Sequence, residues 1–120
     1  SAPVDPVLPN EFIVGGRTYE VLPILRGKEK RVRGNTMVDR AKDMDAHLGQ
    51  DDGEHLITHQ ADIPVELQGK VVFVFTNWPR PDRPESVTIV CWSGDHWVQY
   101  GGSLGSDWYG RYRVLRRKSK

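Results

Sequence analysis

The run Val71-Val72-Phe73-Val74-Phe75 constrains the fold of this chain more than any other stretch. Unbroken β-branched and aromatic residues are the pattern of a strand buried on both faces. The run is far too short to cross a membrane. The rest of the chain must therefore supply a sheet around it and cover for that sheet. At 120 residues, one domain is expected, large enough to bury a core without disulfides or metals.

The flanking segments name the pieces. Residues 1–11 read as an N-terminal arm, because the prolines up to Pro9 leave little periodicity. Residues 12–118 read as a single domain. Phe12-Ile13-Val14 and Thr18-Tyr19-Glu20-Val21-Leu22 flank Gly15-Gly16-Arg17, a hairpin signal, since consecutive glycines accept the positive φ of a tight turn. Lys28 to Arg33 reads as a charged loop. Met37, Val38, Ala41, Met44 and Leu48 recur at helical spacing, predicting a helix from Asn35 or Thr36 through Leu48 with Gly49 just beyond its last turn. Asp51 with Glu54 is a capping-box-like start for a second helix, which carries Leu56, Ile57 and Ala61 inward and stops before Pro64. Trp78 to Pro84 is expected as a loop, because three prolines oppose a ladder. Ser86–Trp92 and His96–Tyr100 are expected as a hairpin about Ser93-Gly94-Asp95. Gly101–Asp107 reads as a loop and Arg111–Leu115 as a last strand. A hairpin, two helices and a run of strands indicate an α+β domain.

Chemistry is sparse. A single cysteine, Cys91, excludes an intramolecular disulfide framework and reads as a small core hydrophobe. His55 and His59, four apart on one helix face, lack the further ligands zinc requires. The acids Asp43, Asp45, Asp51, Asp52 and Glu54 lack the alternation of a calcium loop and suit helix ends. No nucleophile elbow, phosphate-cradling glycine loop or dinucleotide fingerprint is present, so no enzyme activity, metal or cofactor is expected. A net charge of +1 leaves the nucleic-acid question to local features. Arg111, Arg113, Arg116, Arg117, Lys118 and Lys120 beside Tyr and Trp keep a small nucleic-acid-binding module as a second reading. No basic-then-apolar leader is present at Ser1, and the compartment is left open.

Cys91 to Arg113 holds three of the four tryptophans, spaced by Gly, Ser, Asp, Tyr and His. Tyr, Ser and Gly are types that binding loops favour, since Tyr offers amphipathic contact area at low entropic cost. Trp92, Trp97, Leu104 and Trp108 are expected as buried anchors. The residues between them are expected as a displayed surface.

From Trp92-Ser93-Gly94-Asp95-His96-Trp97-Val98-Gln99-Tyr100 through Asp107-Trp108-Tyr109-Gly110-Arg111-Tyr112-Arg113-Val114-Leu115-Arg116-Arg117, the chain resembles variable proteins of diversity-generating retroelements. More loosely, the resemblance takes in Tyr19–Pro23, Met37–Gln60 and Gly69–Trp78. In that family an error-prone copy of a template repeat rewrites adenines, mainly in Asn codons, which reaches every residue type except Lys, Glu, Gln, Met and Trp. Residues 86–117 contain no Lys, Glu or Met, although the chain has all three. The resemblance implies a C-type-lectin-like fold, two helices on antiparallel sheets, with a variable region at about 86–117. It further implies a ligand-binding surface of Ser93, Asp95, His96, Val98, Tyr100, Gly101, Gly102, Ser103, Ser106, Asp107, Tyr109, Arg111 and Tyr112, exposed and grouped on one face. A broad Tyr-containing surface suits a protein ligand. No calcium-ligand set accompanies it, so sugar binding through calcium is not implied.

Overall fold

In a computed structural model that describes residues 8–118, β4 (Val72–Arg80) grows out of the apolar run and lies inside a six-stranded sheet. The sheet order is β1 (Glu11–Val14), β2 (Arg17–Pro23), β8 (Tyr112–Arg117), β4, β5 (Arg83–Trp92) and β6 (Trp97–Ser103). Every pair is antiparallel except β4 with β8, which run parallel. A separate two-stranded ribbon joins β3 (Arg31–Arg33) to β7 (Asp107–Tyr109). The fold is thus α+β, with two helices and a mostly antiparallel sheet. Residues 1–7 of the expected arm, and Lys120 of the basic tail, lie outside the described residues.

Because strand side chains alternate, the two faces of the sheet collect different residues. One face presents Phe12, Tyr19, Val21, Phe73, Phe75, Val90, Trp97 and Leu115, and α2 (Gln50–Thr58) closes it through Leu56. The other presents Val74, Val87 and Val114, closed by Met37 and Ala41 of α1 (Gly34–Asp43) and by Val32 and Trp108 of the ribbon. Val71 through Phe75 are all buried, as a strand covered on both sides demands.

The β1–β2 hairpin turns at Gly15 and Gly16, with φ of 53° and 81°, and Val14 faces Arg17 directly. Two positive φ angles in a two-residue loop match the twist of the strands on either side.

Several expectations are corrected. The first helix ends at Asp43 rather than Leu48. Asp45 takes the left-handed conformation (φ 57°), and the Ala46 and Asp45 amides close back on the Ala41 and Lys42 carbonyls. This is the hydrogen-bond pattern that stops a helix; it buries Ala46 and leaves Gly49 to precede α2. Ala61 falls in a separate short turn and is exposed. The charged segment before α1 contributes β3, since Val32 pairs with Trp108 far along the chain. The proline-rich stretch is a hairpin, not a loop, with Arg80 opposite Arg83. Its prolines are accommodated because the register shifts on either side of Pro79 take up the missing amide donors. β6 continues through Gly101, Gly102 and Ser103, which were expected in a loop.

Candidate binding surface

β6 forms one edge of the sheet, and β5 holds it in register from Ser86–Ser103 to Trp92–Trp97. Trp97 is 1% exposed, stacked at 5.2 Å against Phe73, and its amide is held by the Gln60 side chain at 2.7 Å. Its indole Nε1 is buried without a hydrogen-bond partner among the described residues. Trp108 is 2% exposed and donates from Nε1 to the Ser103 carbonyl at 3.2 Å. These two tryptophans fix the strand and the chain leaving it. Trp92 and Leu104, also expected as buried anchors, are only half-buried and pack on the core from its margins.

The residues between the anchors divide by position. Val98, Tyr100 and Gly102 share the α1 side of the sheet with Cys91, Ile89 and Val87. Gly101 and Ser103 take the α2 side, where the Arg80 side chain lies over Gly101. Ser93, Asp95 and His96 form the β5–β6 turn; Ser106 and Asp107 lie at the other end, where Asp107 meets Arg31 at 3.7 Å. Tyr109 stands exposed on the outer side of the ribbon, Arg111 lies in the turn before β8, and Tyr112 opens that strand. Strand alternation therefore spreads the nominated positions over two faces and two rims rather than one face. Tyr100 (55% exposed) and Tyr109 (48%) are among the largest exposed apolar side chains.

Gly102 differs from the rest. A Cβ built there would lie 3.0 Å from Cζ2 of Trp108 and closer still to Cη2. The absent side chain is what allows the indole to lie across β6.

The turn residues bond to one another. Ser93 Oγ donates to the His96 carbonyl at 2.9 Å, and His96 Nδ1 meets Asp95 at 2.5 Å. Beside His96, and then Ser93, the Asp95 carboxyl is held below its ordinary range. Ser93 and Asp95 approach the same imidazole nitrogen, whereas a nucleophile relay needs them on opposite ones. Cys91 stands apart from this turn, and burial raises its thiol pKa, so it is held neutral. His55 and His59 stack at 4.5 Å, but His55 Nε2 is already bonded to the Val14 carbonyl at 2.8 Å. Among the described residues, no group of three or more His, Cys, Asp or Glu is placed to hold a metal ion. No helix among them is long and apolar enough to cross a membrane.

The basic C-terminal side chains are engaged within the fold. Arg116 pairs with Glu20 at 3.0 Å, Arg117 with Asp52 at 2.7 Å and Asp51 at 2.8 Å, and Lys118 with Glu11 at 2.7 Å. Asp52 is buried and also accepts from the Tyr19 hydroxyl at 2.7 Å. Arg113 is half-buried and bonded to the Gly110 and Tyr112 carbonyls; burial lowers its pKa.

On the α1 side, the sheet is left uncovered beyond the ribbon. A groove of about 210 Å³ opens there among Lys70, Val72, Ile89, Cys91, Arg111 and Tyr112. Val72 lies beside Tyr112 through the parallel β4–β8 pair, and its amide bonds to the Arg111 carbonyl at 2.9 Å. Lys70, Val72, Ile89 and Cys91 are site residues that the sequence pattern does not single out, because a parallel pairing across forty residues leaves no local signature.

Comparison of the chain with models of known families, with curated proteins and with solved structures yields no match.

Proposed function

We propose that this chain is a non-enzymatic ligand-binding protein: a variable protein of a diversity-generating retroelement with a C-type-lectin-like scaffold, recognising a protein ligand. The observation that carries the reading is the division of labour along β6 to β8. Trp97 and Trp108 are buried and hold the frame, while Ser93, Asp95, His96, Tyr100, Ser106, Tyr109 and Arg111 stand exposed between and beyond them. An exposed residue on a framed strand can be exchanged at little cost to stability, generally within about 0.5 kcal/mol. Such a segment can vary in sequence and keep its shape. The α1-side face, with Val98, Tyr100 and Tyr112, offers one place for a partner to sit. Gly102 belongs to the frame on steric grounds and is excluded from the exchangeable set.

The test lies in the DNA beside the gene. A reverse-transcriptase gene and a near-copy of the 3′ coding end, differing at adenines that map to the exposed positions, are expected. A neighbourhood lacking both removes the retroelement reading. Differences that fall instead on Trp97 or Trp108 would remove the frame-and-surface argument.

A further inference from the structure

The uncovered groove on the α1 side has a definite chemistry. Its two charged lining residues, Lys70 and Arg111, are both cationic, and it contains no carboxylate. Neither cation belongs to an ion pair among the described residues, whereas Arg17, Arg40, Arg116, Arg117 and Lys118 each do. Arg111 is also held in place. Its guanidinium carbon lies 5.2 Å from the centre of the Tyr112 ring, and Nη2 donates to the Tyr112 hydroxyl at 3.3 Å. Tyr112 in turn meets buried Trp108 edge-on at 4.7 Å. A cation stacked on a ring that is stacked on the core loses little freedom when it binds, so more of its interaction energy remains as affinity. The lining beside the two cations includes the aliphatic Val72 and Ile89, the Trp92 ring and the neutral Cys91 thiol.

Building on the binding-surface reading, we infer that the groove takes an acidic peptide segment of a protein partner. One carboxylate lies between Arg111 and Lys70, and a neighbouring apolar side chain rests on Ile89 and Val72. The planar guanidinium suits a carboxylate through paired N–H donors, and Lys70 adds a point charge in the same groove. With Arg116, Arg117 and Lys118 paired inside the fold, the two cations of the groove suit a single carboxylate better than a run of phosphates. Lys70 lies outside the segment expected to vary, so the preference for negative charge is built partly into the scaffold.

The experiment is selection of a displayed library of random linear peptides on the immobilised chain, followed by affinity measurement on synthetic versions of those enriched. Enrichment of Asp or Glu next to an apolar residue is expected. Arg111→Gln should weaken these peptides about tenfold, the size of one charge-assisted hydrogen bond, and Lys70→Gln should weaken them several-fold. Arg83→Gln, an exposed cation at the opposite end of β5 from Cys91, should change nothing. Thermal melting of each variant shows whether the fold is kept, and Arg111→Lys, which retains the charge, should recover part of the affinity. Enriched peptides without acids that still depend on Tyr100 or Val98 overturn the acidic-peptide inference and leave the binding-surface reading standing. Peptides indifferent to every α1-side substitution overturn both. Single-stranded DNA that binds in low salt and is lost in Arg111→Gln, with no acidic peptide enriched, overturns the inference in favour of a nucleic-acid ligand.

Discussion

Gly102→Ala is the sharpest test of the frame around β6. The added methyl would sit 3.0 Å from Cζ2 of Trp108, inside the ordinary carbon–carbon separation of about 3.5–4.0 Å. The ring cannot simply retreat. Tyr112 packs against it at 4.7 Å, and its Nε1 is tied to the Ser103 carbonyl. Overpacking of this kind costs about 1–3 kcal/mol. Replacing a glycine also restricts the unfolded chain, which returns about 0.4–1 kcal/mol. The difference spans about 0–2.6 kcal/mol; the still closer approach to Cη2 rules out the low end and leaves about 1–2 kcal/mol, and for a chain of this length each kcal/mol lowers Tm by about 4 °C. A drop of about 4–8 °C in calorimetry is therefore expected, with a changed near-ultraviolet dichroism from the displaced indole. Gly101→Ala is the matched control. Its methyl would meet Arg80, 2.6 Å from Nη1 and 3.1 Å from Cδ, and the outer end of that side chain can move aside into solvent. Its effect should stay within about 0.5 kcal/mol. In a double-mutant cycle, Trp108→Phe should relieve Gly102→Ala, leaving the double variant more stable than the two single changes predict, by about 0.5–1 kcal/mol. Equal melting temperatures for the two alanine variants, or strict additivity with Trp108→Phe, would refute the steric account and return Gly102 to the exchangeable set.

The remaining predictions concern ion pairs and hydrogen bonds within the fold. Asp52→Asn should destabilise by about 2–3 kcal/mol in urea unfolding, since the buried Tyr19 hydroxyl loses a charged acceptor while Arg17 and Arg117 can still reach water. Burial, and then the bond to Asp52, push Tyr19 from 10.0 up to about 12. The folded state thus holds that proton more tightly than the unfolded one, so its stabilisation is complete below pH 10 and is lost as pH rises towards 12. Tyr19→Phe should flatten that part of the stability–pH curve. Glu29 moves the other way, from 4.5 down to about 2, chiefly through its bidentate bonds to Arg40. Its contribution is present above pH 4.5 and fades as pH falls through 2, so Glu29→Gln should flatten the acid limb of Tm against pH.

Local signals in this chain were readable where the deciding contacts are also local. Gly15-Gly16 between two apolar runs specifies its hairpin, and the apolar stripe of Met37 and Ala41 specifies the buried face of α1. Val71–Phe75 was legible as a doubly covered strand because its burial leaves no polar alternate. Features set by distant partners were not. Val32 becomes a strand only because Trp108 lies opposite it, and the prolines at 79 and 84 are tolerated only because the β4–β5 register slips there. The helix stop at Asp45 was hidden because the left-handed position is held by an aspartate while a glycine stands nearby as the more obvious candidate. At the surface, residue types nominated four buried anchors, of which Trp97 and Trp108 are buried while Trp92 and Leu104 are half-buried at the margins. The sidedness of those neighbours emerged only once Gly101, Gly102 and Ser103 joined β6, which sends alternate residues to opposite faces.

The placement of β8 makes translation through Arg117 a condition of folding. Although it is the last of the described strands in chain order, it lies between β2 and β4 and is the element that joins the β1–β2 hairpin to β4, β5 and β6. A premature stop or a shifted frame anywhere before Tyr112 would leave two sheet fragments with open edges, and both apolar layers would lose Val114 or Leu115. Such products cannot assemble a core and would be left to proteolysis. If the proposed rewriting acts on residues 86–117, folding itself would screen its products and pass only those that stay in frame through β8.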